Sequence, residues 1–166
     1  MKERKVMDRI TVFEAVLNAV KSQLERLEQA VETQHKVIDT TPGPTQSHSD
    51  TSRFQESEVV QEMTKSLEEL RQVWSELNFF RADIKPTSSQ IASVGSVVII
   101  DSSGSSDIYM ILPCGGGTEI TVEDGKTVSV ITQNSPLALA IIGKTKGAEF
   151  ELRTKTVRKL KLLEVL

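Results

Sequence analysis

The chain has 166 residues, of which 38% are hydrophobic and 26% charged, the balance of a folded, water-soluble protein. Its formal net charge of −3 excludes binding of nucleic acid through overall positive charge. The single cysteine, Cys114, excludes an intrachain disulfide, and no apolar run approaches the ~18–20 residues of a membrane span. The N-terminus also lacks the apolar core of a secretory signal. These features predict a cytoplasmic protein with no membrane association.

Apolar residues in the first half recur in steps of four and three along two segments. This period of 3.5 is typical of a coiled coil, in which such residues form a continuous apolar line, here called the seam. The first seam consists of Val6, Ile10, Phe13, Leu17, Val20, Leu24, Leu27, Val31 and Ile38. The second seam consists of Val60, Met63, Leu67, Leu70, Trp74 and Leu77.

The segment between the two seams predicts a turn. Pro42, Gly43 and Pro44 cannot continue a helix, and Ser49 to Ser52 are suitable N-caps for a second one. Around such a turn Leu27 would face Met63. The pattern predicts an antiparallel coiled-coil hairpin over residues 1–83 with its tip at about 39–51. Oligomerisation, or ordinary packing of the two helices, remains an alternative interpretation of the same seams.

After a polar linker at 84–93 the periodicity changes from that of helices to that of strands. Short β-branched stretches predict a small antiparallel sheet over 94–166, so the fold class is α+β. One short helix interrupts the strands, with Ser135 as N-cap, Pro136 in the first position and Leu137–Ile142 as its body. Gly143 suits the left-handed position that ends it. A helix this apolar must be buried or must meet a partner.

The C-terminal region resembles the GreA/GreB family of bacterial transcription factors. The resemblance lies in Val94–Val98 and in the run Ser-Pro-Leu-Ala-Leu-Ala-Ile-Ile-Gly-Lys at 135–144, followed by Gly147 and Glu149–Leu152. It implies an FKBP-like C-terminal domain that binds core RNA polymerase at the rim of its secondary channel, while the hairpin enters that channel. By this analogy the docking residues are Ser135, Pro136, Leu137, Ile142, Gly143 and Lys144.

The resemblance to the GreA/GreB family implies a specific role for the residues at the hairpin tip. Cleavage-stimulating members of the family carry clustered acidic residues there, which hold a second Mg²⁺ in the polymerase active site. The tip residues of this chain are Asp39, Pro42, Gly43, Pro44, Asp50 and Thr51, and its only carboxylates are Asp39 and Asp50 at the two shoulders. Asp50-Thr51 also resembles the Asp-Thr-Arg stretch of a divergent branch, with the arginine displaced to Arg53.

The sequence therefore predicts a monomeric accessory factor that is not itself an enzyme and needs no cofactor of its own. Asp39 and Asp50 would at most hold Mg²⁺ jointly with polymerase, and contact with nascent RNA would be indirect. Transcript cleavage is expected to be weak or absent. Two alternatives remain: an FKBP-like folding helper, and a self-associating coiled-coil adaptor. His35 and His48, without cysteine support, are expected to be solvated rather than metal ligands.

Overall fold

The computed structural model describes residues 7–40, 49–85, 90–122, 125–153 and 155–166, with the side chains of 38–40 and 49–56 left out. Its N-terminal part consists of two 32-residue helices, α1 (Arg9–Thr40) and α2 (Ser49–Phe80), followed by a 3₁₀ turn, Arg81–Asp83. At 1.5 Å per residue each helix is roughly 48 Å long. No helix in the described part of the chain is both long and apolar enough to cross a bilayer.

Helix α1 begins directly after Asp8, which supplies its cap. One carboxylate oxygen of Asp8 accepts from the backbone N–H of Thr11 at 2.9 Å, and the other accepts from the Thr11 hydroxyl at 2.7 Å. These bonds satisfy a donor of the first turn that has no partner within the helix. Asp8 therefore takes the capping role at the start of α1.

Two ion pairs join α1 and α2. The Arg71 guanidinium lies 2.8 Å from Glu28, and that of Arg81 lies 2.6 Å from Glu14. Residue numbers on α2 fall as those on α1 rise from one ion pair to the other, which is the order expected of an antiparallel pair of helices. The coiled-coil register, with Leu27 facing Met63, stays a prediction.

The C-terminal part contains six strands and one short helix. In chain order they are β1 (Val97–Ser102), β2 (Ser105–Leu112), β3 (Glu119–Thr121), β4 (Thr127–Thr132), α3 (Pro136–Ile141), β5 (Glu149–Arg153) and β6 (Val157–Val165). The strands form one sheet in the order β3-β4-β2-β1-β6-β5. A register shift between Ile99 and Ile100 marks an irregularity in the pairing of β1 with β6.

The prediction of a purely antiparallel sheet is wrong, because β2 and β4 pair in parallel. After β2 the chain passes one strand position, forms the three-residue β3 and returns antiparallel to it as β4. Strand β4 is apolar on both faces, with Val128 and Val130 in one core and Ile131 against the other. A strand of that kind is best buried between two neighbours, whereas short β3 suits the edge.

The sheet separates two apolar cores. The first core joins the hairpin base to one sheet face, and its buried members are Val12, Phe13, Val16, Leu17, Val20, Leu77, Val97, Ile108, Met110, Leu112, Ile120, Val128 and Val130. The second core joins the opposite face to α3, and its buried members are Ala92, Val98, Ile100, Ile111, Ala138, Ile141, Phe150, Leu160, Leu162 and Val165. Alternate residues of β1 and β2 enter alternate cores, as the pleat of a strand requires.

The contact with the sheet changes which face of α1 is buried. Val12 and Val16 lie off the predicted seam, yet they are 1% and 0% exposed. Ile10 lies on the predicted seam and is 37% exposed. The base of α1 therefore buries a wider face than a two-helix seam needs, because it meets the sheet as well as α2.

The loop after β2 closes this junction. Gly115 has φ +78°, and a Cβ at that position would lie 3.4 Å from Leu77 Cδ1 and 3.5 Å from Val73 Cγ1. The neighbouring Cys114 Sγ donates to the Val73 carbonyl at 3.7 Å. Glycine thus allows the loop to pass close to α2 with a left-handed backbone.

Candidate partner-docking surface

Helix α3 is fixed at both ends by the residues that the sequence indicates. The Ser135 side chain accepts from the backbone N–H of Ala138 at 3.2 Å, and Pro136 occupies the first helical position. Gly143 follows the helix with φ +83°. The predicted start of the helix is confirmed, and its last helical residue is Ile141, with Ile142 as C-cap.

The two sides of α3 have different environments. Ala138 and Ile141 are completely buried in the second core. Leu139 is 67% exposed and Ile142, three residues further on, is 38% exposed. Residues three apart lie on the same side of a helix. One side of α3 is therefore anchored in the core, while the other presents aliphatic side chains to solvent.

A second segment fixes the exit from α3. The backbone N–H of Ala92 donates to the Lys144 carbonyl at 2.8 Å, and that of Gly143 donates to the Ala92 carbonyl at 2.8 Å. Ile91, which forms a β-bridge with Thr145, is 48% exposed. The α3 surface is defined here as Leu139, Ile142 and Ile91, with Lys144 and Lys146 next to it in the chain.

The predicted docking residues contribute to the α3 surface in different ways. Ser135 and Gly143 shape the ends of the helix, and half-buried Leu137 packs against the second core. Pro136 is exposed and Lys144 is half-buried. Only Ile142 among the predicted apolar contacts belongs to the surface. Leu139, its most exposed aliphatic member, was not singled out, because six consecutive apolar residues do not reveal which side of a helix faces solvent.

The predicted hairpin tip lies largely outside the described residues. Asp39 lies in α1, and Asp50 and Thr51 lie in α2, but their side chains are outside the described residues. Pro42, Gly43 and Pro44 also lie outside them. In the described ranges no three His, Cys, Asp or Glu residues are grouped to hold a metal ion. A Mg²⁺ site shared with polymerase at Asp39 and Asp50 stays a prediction.

Comparison with known families and curated proteins gives no match to this chain. Among solved structures, GreA factor homolog 1 of Thermus thermophilus is 15% identical, with 92% of this chain and 95% of that chain covered and a TM-score of 0.35. Gfh1 of Thermus aquaticus is 14% identical, with 92% and 94% covered and a TM-score of 0.36. A transcription elongation factor GreA/GreB from Nitrosomonas europaea is 17% identical, with 63% and 91% covered and a TM-score of 0.32.

These similarities are remote, and TM-scores of 0.32 to 0.36 are too low to support an inference about function. The function proposed below therefore rests on the residues of this chain and on the family resemblance of its sequence.

Proposed function

We propose that this protein is an accessory factor of bacterial RNA polymerase of the GreA/GreB type. The α3 surface docks on polymerase at the rim of the secondary channel, and the hairpin enters the channel and modulates elongation. We further propose that the hairpin is an antiparallel coiled coil and that the sheet with α3 is an FKBP-like domain. The observation that carries the proposal is the exposure of Leu139 and Ile142 within the sequence run that resembles the family.

The α3 surface has the properties of a preformed contact. Its backbone is held by the Ser135 cap at one end and by the bonds to Ala92 at the other. A partner would therefore lose little entropy in ordering it. Covering a largely exposed leucine such as Leu139 removes apolar area from water, which stabilises a complex by ~25 cal/mol per Å². Clustered exposed aliphatic residues are a feature of interaction sites.

The hairpin is suited to reach away from this surface. Its contacts with the first core involve the base of α1 up to Val20 and the end of α2 from Leu70 onward. The rest of each helix, residues 21–40 of α1 and 49–69 of α2, is roughly 30 Å long at 1.5 Å per residue and has no member in that core. This length supports the insertion of a tip at a distance from the docking contact.

The first test is direct binding to a bacterial core RNA polymerase, measured by fluorescence anisotropy of the labelled full chain. We expect saturable binding that Leu139→Glu weakens at least tenfold, because ~1.4 kcal/mol corresponds to a factor of ten and a buried unpaired carboxylate costs more than that. Val157→Glu is the matched control, since Val157 is 62% exposed and lies on β6. Equal affinity of all three proteins, or no binding at micromolar concentration, would contradict the proposal.

The second test addresses the tip. The absence of clustered carboxylates leads us to expect no robust RNA shortening when the protein is added to backtracked elongation complexes with Mg²⁺. The double variant Asp39→Asn, Asp50→Asn should then behave as the parent protein does. Robust cleavage that the double variant loses would show that the two shoulder carboxylates hold a metal ion after all.

The two alternatives have distinct readouts. Catalysed prolyl isomerisation of a model peptide, without polymerase binding, would favour the folding helper. Dimers that persist at low micromolar concentration, again without polymerase binding, would favour the self-associating adaptor. We expect neither, and we expect a monomer in sedimentation.

A further inference from the structure

Strand β5 forms one edge of the sheet. It is last in the strand order, so in the described part of the chain it pairs with β6 on one side and with no strand on the other. Just before β5, the backbone N–H of Leu162 donates to the Ala148 carbonyl at 2.8 Å. The ladder between β5 and β6 therefore starts from a hydrogen-bonded pair at Ala148 and Leu162.

This starting point determines which backbone groups of β5 are free. Hydrogen-bonded and non-bonded pairs alternate along an antiparallel ladder, so Phe150 and Leu152 are the residues that bond to β6. Glu149, Glu151 and Arg153 then direct their N–H and C=O groups to the outer side of the sheet. A row of such groups at a sheet edge is a template for another strand.

The two faces of β5 differ in polarity. Phe150 and Leu152 belong to the second core. Glu149, Glu151 and Arg153 are exposed on the other face, where the first core has no member on β5 or β6. A strand added to this edge would therefore meet apolar residues on one face and charged residues on the other.

Charges of opposite sign alternate across the sheet towards this edge. Asp101 on β1 faces Lys161 on β6, and Lys161 faces Glu149 on β5. The Lys161 Nζ atom lies 3.8 Å from a carboxylate oxygen of Glu149. The three side chains line one open depression, so they share a face of the sheet. The row ends with an anion at the free edge, and a cation on an added strand would continue the alternation.

We propose that the free edge of β5 pairs with β5 of a second copy of this chain, antiparallel and around a two-fold axis at Glu151. In this register all five residues of β5 are paired. Glu149 faces Arg153 of the second copy, which supplies the cation that continues the row, and the two-fold axis makes this pair twice. Phe150 faces Leu152 of the second copy, so the second core continues across the contact. Opposite charges and apolar pairs directly across from each other stabilise paired strands.

The two copies of Glu151 face each other at the axis, and this is the one like-charge pair of the contact. Each of them has nearby cations in its own chain. Lys159 on β6 lies directly across from Glu151, and the Arg153 Nη2 atom lies 3.5 Å from its carboxylate. These cations offset the repulsion between the two carboxylates.

The contact is small, and the dimer is therefore weak. It involves five residues a side, whereas stable interfaces use ~20–30, and we expect a dissociation constant of roughly 0.1–1 mM. The protein stays monomeric at low micromolar concentration, in agreement with the monomer expected above. The dimer does not depend on polymerase binding, because β5 is separate from the α3 surface.

The test is sedimentation equilibrium of the full chain from ~10 μM to ~1 mM. We expect dimers to form over this range, and Glu149→Arg to weaken them about tenfold, because it places like charges opposite each other at both symmetry-related positions. Glu119→Arg is the matched control. Glu119 is also exposed and lies on β3, the strand at the other edge of the sheet, so this variant should dimerise as the parent does.

A mixture of two variants tests the register. Arg153→Glu alone should also weaken the dimer, because it places two carboxylates opposite Glu149 of the other copy. Positions 149 and 153 are then both basic in Glu149→Arg and both acidic in Arg153→Glu. A one-to-one mixture should dimerise at concentrations where each variant alone is monomeric, which a folding defect in either variant cannot produce.

A proline tests the backbone pairing. Glu151→Pro removes an outward N–H and leaves the bonds to β6 in place, a substitution that edge strands accept. We expect a folded monomer at all concentrations, with folding checked by circular dichroism. If the proline variant does not fold, the charge variants decide.

Three results would overturn the proposal: a parent protein that stays monomeric up to ~1 mM, dimers that Glu149→Arg leaves unchanged, or a mixture that dimerises no better than its components. The second result would place self-association elsewhere, for example on the hairpin. None of these variants changes Leu139, so the polymerase test is independent of the outcome.

Discussion

Replacing Arg9 by methionine should make the protein more stable. Arg9 is the first residue of α1 and only 8% exposed, and its Nε and Nη2 atoms are buried with no hydrogen-bond partner in the described structure. Burial lowers the pKa of its guanidinium, since removal from water disfavours the charged form. Arg9→Met keeps an unbranched stem and a similar helix propensity, but removes the charge.

The expected gain follows from the two unpaired nitrogens. A buried donor left without an acceptor costs ~1–3 kcal/mol. Part of this is offset by the loss of contacts along the arginine stem, which leaves a net gain in the free energy of unfolding of about 2 kcal/mol. For a chain of this size ~1 kcal/mol moves the melting temperature by ~2–4 °C, so Arg9→Met should melt ~4–8 °C higher.

The assay is a thermal melt by circular dichroism, with urea unfolding to obtain the free energy. Arg71→Met is the matched control: the Arg71 side chain is 55% exposed and its guanidinium is paired with Glu28, so the variant should lose ~0.2–1 kcal/mol. A lower melting temperature for Arg9→Met would refute the reasoning, because it would show that the guanidinium has a favourable partner in solution.

Two further predictions concern the junction of hairpin and sheet. Leu77→Ala, at a completely buried position of the first core, should lower the free energy of unfolding by ~3–5 kcal/mol in urea, whereas Leu27→Ala on the half-buried distal seam should cost less. In both variants the Trp74 fluorescence and the Tyr109 near-ultraviolet signal should change over the same range of urea concentration. Separate unfolding transitions for the two signals would contradict a shared core. Burial and Glu76 raise the pKa of Cys114 to about 11, so iodoacetamide at pH 8 should react about 100-fold more slowly than with a free thiol. Glu76→Gln should speed this reaction, and an equally slow variant would exclude the carboxylate as a cause.

The periodicity of the sequence predicted the helices and strands well, because each of them follows from the pattern of residues within its own segment. The Pro-Gly-Pro segment and the two seams predict the two helices, and Ser135 and Gly143 predict the limits of α3 closely. Two residues within the predicted linker, Ile91 and Ala92, instead pair with the segment after α3. Isolated apolar residues in a polar stretch carry no local signal of such a partner.

The features that the sequence did not predict depend on contacts between residues far apart in the chain. Val12 and Val16 are off the seam and become core only because the sheet lies against them. The parallel pairing of β2 with β4 depends on a strand-skipping connection, which alternation within each strand does not encode.

Because the first core involves only the base of the hairpin, the length of the hairpin can change without changing that core. On α1 the core ends at Val20, and on α2 it begins at Leu70, so residues can be added or removed beyond these points without altering a contact with the sheet. One heptad inserted in each arm would move the tip outward by about 10 Å. Descendants of one ancestral chain could therefore probe different depths of a partner while they keep the same point of attachment.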